Sequence, residues 1–182
     1  LLGEGAAALV MEREDAAVER GAAVLGEVLG GGAASDGDGL LAINTDGSGV
    51  VAAIEAALAD AQLSPRDIGL VMAHGNGTRA SDASEAQALR QVFGSDLPPV
   101  TASKWAFGHL LAAAGAIDTV LGLQALRRGV VPGIATLEQL DPEFSDLNVS
   151  HEAAQPRSDV ALIISRGFAG TNAALVVRAP RA

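Results

Sequence analysis

The 182 residues include no cysteine, a single lysine against eleven arginines, and only 3 % aromatics. The missing thiols exclude disulfides, thiolate zinc sites, CxxC redox chemistry and a cysteine nucleophile within this chain. They leave the redox compartment open. With few aromatics and a hydrophobic fraction of 49 %, the core must be built from Ala, Val, Leu and Ile, which favours close packing of elements. Basic residues number 12 against 22 acidic ones, a net charge of −10, which argues against nucleic acid as a partner. The one long apolar stretch, Ala106 to Leu126, is interrupted by His109, Asp118 and Gln124 and is too rich in Ala and Gly for a membrane span. It reads as a buried helix of a globular protein.

The length suits one domain with a real core. The chain starts at Leu1 with neither an initiator Met nor a basic n-region, so it is expected to be a piece of something longer. Positive charge is uneven. Thr101 to Gly133 carries Lys104, Arg127 and Arg128 against Asp118 alone, a local net of +2 that suits an acidic partner as well as it suits scattered solvated charges.

Periodicity predicts alternating strands and helices. Strands are expected at Gly5–Met11, Val24–Leu29, Ile68–Ala73, Val160–Ser165 and Ala173–Arg178, with an extended segment from Pro98 to Thr101. Helices are expected at Asp15–Arg20 and Ser48–Gln62, from a cap at Ser81 or Asp82 to Gly94, and over Ala106–Arg128. Gly30 to Asp46 reads as a long loop. The pattern is that of an α/β layered domain with helices covering a sheet.

Chemistry concentrates at two of the three histidines. His74 follows a buried strand, where α/β sheets present ligand-binding side chains, and Gly75 and Gly77 permit close approach to the backbone. His109 opens the Ala106–Arg128 helix, whose positive end is expected to keep the ring neutral. Taken one at a time, each reads first as a satisfied core histidine. If they converge, two neutral imidazoles form a pair of donors for a developing enolate or thioester oxyanion. Lys104, five residues before His109, could pair with Glu85 or Asp82 or lie on the surface. His151 reads as an exposed loop residue.

The order Ala73-His74-Gly75-Asn76-Gly77-Thr78, then Asp82 and Glu85, then Ser103-Lys104 with Gly108-His109, and last Gly167-Phe168-Ala169-Gly170-Thr171-Asn172 resembles the C-terminal half of β-ketoacyl-acyl-carrier-protein synthases, the elongating type most closely. Gly3-Glu4-Gly5-Ala6 and Asp141-Pro142 before Leu147-Asn148 extend the resemblance over nearly the whole chain. It implies a thiolase-like α/β fold with a mixed sheet, of which this chain is the C-terminal half. The nucleophilic cysteine would then lie in an N-terminal half absent here. It also implies a decarboxylative Claisen condensation in the cytoplasm, in a homodimer or heterodimer, with an acyl carrier protein whose 4′-phosphopantetheine is the only prosthetic group and with no metal. By the same resemblance His74 and His109 would stabilise the enolate, Lys104 would hold the site with Glu85, and Asp82 would support it. Thr78, Asn76 and Thr171 would face the substrate arm, and Phe168 would gate the acyl pocket.

Three departures stand out. Asn76 replaces a threonine, Ala169 replaces a glycine and is strained if its φ is positive, and Arg166 stands where phenylalanine is common. Trp105 and Phe107 also enlarge the Lys104–His109 interval. Two alternatives stay open: a non-catalytic, chain-length-factor-type partner, and a thiolase-fold relative acting on another thioester.

Overall fold

The computed structural model describes residues 1–37, 39 and 42–180. In chain order the elements are α1 (Glu14–Glu19), β1 (Glu27–Ser35), α2 (Ser48–Ala61), β2 (Leu70–Met72), α3 (Arg79–Phe93), β3 (Val100–Thr101), α4 (Lys104–Phe107), α5 (Ala114–Arg128), β4 (Val160–Arg166) and β5 (Thr171–Arg178). The strands form one mixed sheet in the order β1-β5-β4-β2-β3. β2 pairs in parallel with β3 and β4, while β5 is antiparallel to both β4 and β1.

Alternation along the strands explains the layers, because successive side chains point to opposite faces. Val71, Leu162, Ile164 and Val176 face one apolar cluster with Ile54, Leu58 and Leu89 of α2 and α3. Leu70, Met72, Ile163 and Val177 face a second cluster with Ala125 and Leu126 of α5. The sheet is therefore covered on both sides, and β4 reads as a continuous apolar run because both of its faces are buried. The expected α/β layers are present.

Several local expectations change. Gly5–Met11 forms no strand, and Leu9, Val10 and Met11 are exposed. The strand expected at Val24–Leu29 runs instead from Glu27 to Ser35, so it takes over the first part of the expected loop; positions 38, 40 and 41 of that loop lie outside the described residues. Packing is the reason. A Cβ on Gly32 would collide with the Ala53 carbonyl oxygen and sit 2.6 Å from the Ala57 nitrogen, so the glycines let α2 lie directly on β1. That close approach outweighs the poor strand propensity of glycine.

The helix after the His74 loop starts at Arg79 with Thr78 as its cap residue, earlier than Ser81 or Asp82. The expected Ala106–Arg128 helix is broken into α4, a turn of 3₁₀ helix at Leu111–Ala113, and α5. The break sits at Gly108, whose φ of 81° lets the backbone of Leu2 and Gly3 pass against it; a Cβ there would lie 2.7 Å from the Gly3 nitrogen. On α5, Ala125 and Leu126 are buried against the sheet, while Val120, Arg127 and Arg128 face outward.

Candidate active site

β2 delivers His74 to the end of the sheet, where the ring is buried. The loop that follows is held from α3. Glu85, itself buried, accepts from the His74 backbone N–H at 2.7 Å with Oε1 and from Gly75 N–H at 3.0 Å with Oε2. Burial pushes the Glu85 carboxyl upward, while these two donors and the Arg166 charge hold it back. Asp82 accepts from Gly77 N–H at 3.3 Å and is also shifted upward by burial. Asn76 Oδ1 accepts from both the Thr78 N–H (2.9 Å) and the Thr78 hydroxyl (2.8 Å), a local Asx turn that leads into α3.

His109 reaches the same point from a different part of the chain. The two ring centroids are 5.2 Å apart with an interplanar angle of 75°, an edge-to-face arrangement. His74 Nδ1 accepts from the Arg166 backbone N–H at 3.3 Å, and His109 Nδ1 accepts from the Leu111 N–H at 3.0 Å. A neutral imidazole that accepts at Nδ1 carries its proton on Nε2. Both rings therefore present an N–H at Nε2.

Burial first, and then the charges of Lys104, His109 and Arg166, push His74 down to about 3. His109 is also lowered, chiefly by burial and then by Lys104. The rings are neutral, as expected, but not for the reason expected: His109 lies in the break before α5 rather than on the first turn of a long helix.

Lys104 is buried, and its ammonium lies 3.3 Å from Asp118 of α5, which also accepts a short hydrogen bond from the Ser103 hydroxyl. The expected pairing of Lys104 with Glu85 or Asp82 does not form, because Glu85 is turned toward the His74 loop. Asp118 is the residue that sequence reasoning missed. Its signal was a lone carboxylate on an otherwise apolar helix, fourteen positions after the only lysine.

Phe168 stands at the tip of the β4–β5 turn and is 75 % exposed, and Thr171 begins β5 as an exposed residue. Ala169 has a φ of 59°, so the substitution of alanine for glycine is strained. Among the described residues no group of His, Asp and Glu is arranged to hold a metal ion. No helix among them is long and apolar enough to cross a membrane.

Compared with known proteins, residues 25–138, more than half of the chain, match the family model of the β-ketoacyl synthase C-terminal domain. The chain belongs to the β-ketoacyl synthase family. A 3-oxoacyl-[acyl-carrier-protein] synthase 2 from Mycobacterium bovis is 39 % identical over 178 residues, 96 % of this chain and 42 % of the relative. Among solved structures, the ishigamide ketosynthase/chain length factor superposes with a TM-score of 0.92 and 34 % identity, covering all of this chain and 44 % of that one. A ketosynthase in complex with a type II polyketide acyl-carrier protein and bound to the hexaketide matches with a TM-score of 0.87 and 30 % identity, over 93 % of this chain and 42 % of that one. The fold is thus the thiolase-like fold of the synthases, and this chain spans about two-fifths of the length of these relatives.

Proposed function

We propose that this chain supplies the two-histidine half of a β-ketoacyl synthase that extends acyl chains in fatty acid or polyketide synthesis. The observation that carries the reading is the facing pair of neutral imidazoles, each with Nδ1 occupied by a backbone donor and Nε2–H left for a ligand.

In the reaction, an acyl group rests as a thioester on a cysteine of the other half, because this chain has none. The malonyl thioester loses CO₂, and the electron pair of the broken C–C bond passes into an enolate. Its oxygen accepts from Nε2–H of His74 and His109, donors aimed at charge that develops only in the transition state. The enolate carbon then attacks the acyl carbonyl, a C–C bond forms, and the cysteine thiolate leaves. The Lys104–Asp118 pair positions the segment that leads to His109, and Glu85, with Asp82, positions the loop of His74. Asn76, Thr78 and Thr171 face the 4′-phosphopantetheine arm of an acyl carrier protein, and Phe168 lines the acyl entrance. The other half, and a second synthase subunit in a homodimer or heterodimer, complete the unit. A carrier-protein complex is known for one relative of similar fold.

The test is condensation with malonyl carrier protein by this chain assembled with its cysteine-bearing half. His109→Ala should lower condensation about 10²–10³-fold, and unchanged turnover would sink the reading. A second reading, a non-catalytic chain-length-factor-type subunit, is favoured by Arg166 at the gate and by the similarity to a ketosynthase/chain length factor. It predicts that His74→Ala and His109→Ala both leave turnover of a heterodimer intact.

A further inference from the structure

Beneath the β4–β5 turn lies a charged cluster that this chemistry does not use. The side chains of Arg166, the last residue of β4, and Asp36 are only 7 % and 2 % exposed, and Arg166 Nη2 lies 3.7 Å from Asp36 Oδ2. Arg166 Nε donates to Asn172 Oδ1 at 2.9 Å, and Nη1 donates to the Ser81 carbonyl at 3.0 Å and to its hydroxyl at 3.4 Å. The Asn172 amide closes the ring, donating to Asp36 Oδ1 at 2.7 Å and to the Gly170 carbonyl at 2.9 Å. Asp36 N–H donates to that same carbonyl at 2.9 Å. One turn is thereby tied to the segment after β1, to the first turn of α3 and to β5.

The turn works against these ties. Ala169 and Gly170 are both left-handed, at φ 59° and 66°, and the alanine Cβ disfavours that geometry. Phe168 at the tip is largely exposed, so it adds little buried surface to hold the turn down. The internal hydrogen bonds are Gly167 N–H to the Thr171 carbonyl, 2.8 Å, and a longer one from Thr171 N–H to the Phe168 carbonyl, 3.4 Å. The turn thus sets strain and an unpacked tip on one side against a polar clasp on the other.

We infer that Arg166 is a positioning residue: clasped by Asp36, Asn172 and Ser81, it latches the Phe168 turn in the state seen here. Because its own backbone N–H supports His74 Nδ1, release of the turn loosens the support of that ring as well. The consequence for turnover rests on the reading above of Phe168 at the acyl entrance. A latched turn restricts acyl loading and holds His74 for condensation; a released one does the reverse.

Hydrogen exchange at the amides of Phe168 to Thr171, measured in the chain assembled with the cysteine-bearing half, tests the latch without turnover. Arg166→Met and Asp36→Asn should each raise exchange there about tenfold, the equivalent of one 1.4 kcal/mol step, with Ala161 to Ile164 unchanged. Ala169→Gly, which relieves the strain, should slow it about fivefold. Arg166→Lys should not rescue, since an ammonium cannot reach Asn172 and Ser81 as a fork. In turnover, Arg166→Met should speed acyl loading while condensation kcat falls at unchanged malonyl KM. If Arg166→Met unfolds because Asp36 is left unpaired, the double variant lacking both charges, together with Ala169→Gly, gives the same comparison. Unchanged exchange at the turn, or an equal rise across β4 and β5, overturns the latch. A loosened turn with unchanged acyl loading supports the latch and overturns Phe168 as the entrance.

Discussion

The rings of His74 and His109 meet edge to face at 5.2 Å, and each is pinned at Nδ1 by the backbone N–H of another residue, Arg166 for one and Leu111 for the other. Two donors that act on one oxygen are not independent. Loss of a single oxyanion donor costs about 10²–10³ in kcat. His74→Ala and His109→Ala should each lower condensation by that factor, and the double variant should fall by less than the product. Steady-state rates of the assembled synthase provide the check; multiplicative losses would mean that the rings act on separate steps.

Lys104 and Asp118 are buried together, so removing one charge leaves the other without compensation. Lys104→Met should cost about 3–5 kcal/mol of stability, whereas Lys104→Met with Asp118→Leu should recover most of it. Urea titrations of the two variants measure the difference. A single variant as stable as the wild type would show that Ser103 alone satisfies Asp118.

The histidine shifts carry a pH dependence with a definite sign. Burial pushes His74 down to about 3 from 6.5, and His109 is displaced the same way. The unfolded chain therefore takes up these protons first. Their contribution to stability is complete above pH 6.5 and is lost as the pH falls from there toward 3. Glu85 and Asp82 are displaced upward, so their contribution has the opposite sense, present at low pH and lost as the pH rises through their folded values. His74→Gln isolates the imidazole part. Between pH 7 and pH 4.5 the urea midpoint of the wild type should fall further than that of His74→Gln, and an equal fall would contradict the buried neutral ring.

Gly32 marks where α2 rests on the edge strand. Gly32→Ala should cost about 2 kcal/mol or more, because the added carbon meets helix backbone rather than a movable side chain. Gly37→Ala meets no atom within 4 Å and suffers only from its positive φ of 73°, so it should cost less. Thermal unfolding of both variants ranks the two effects.

Arg127 and Arg128 end α5 as exposed residues, within the only stretch singled out in the sequence as locally positive. If an acidic carrier protein is steered there, reversing both charges should raise the carrier KM severalfold at low salt and flatten its salt dependence, with little change in kcat. Carrier titrations at two ionic strengths decide it. Unchanged KM and salt slope would place the docking surface elsewhere.

The layered α/β architecture was legible because β5, α2 and α3 carry periodic apolar patterns, and β4 a continuous apolar run, that tertiary contacts reinforce. The histidines were legible as a pair through their motifs. What escaped the sequence was decided by contacts distant along the chain. The glycines of β1 look like a loop until α2 is laid on them. The break at Gly108 is imposed by Leu2 and Gly3, more than a hundred positions away. Asp118 was visible only as a charge on an apolar helix, and Lys104 was matched with Glu85 and Asp82, the carboxylates beside the His74 loop, although Asp118 is nearer along the chain. Arg166 stood out as a departure, yet its link to Asp36 spans 130 positions that no local pattern reports.

The pairing of Leu1–Gly3 with His109 has a kinetic consequence. Gly3 N–H donates to the His109 carbonyl at 3.1 Å, and His109 N–H donates to the Leu1 carbonyl at 3.0 Å, so the backbone of a proposed catalytic ring is moored by the first three residues. Such a contact must close a very long loop, and loop closure of that length is slow relative to the pairing of β4 with β5 or the packing of α2 on β1. The β4–β5 hairpin and the α2–β1 unit can therefore form before His109 is seated, whereas the pairing of β1 with β5 closes a still longer stretch of chain. Seating of His109 thus belongs with the long-range closures and not with the local ones.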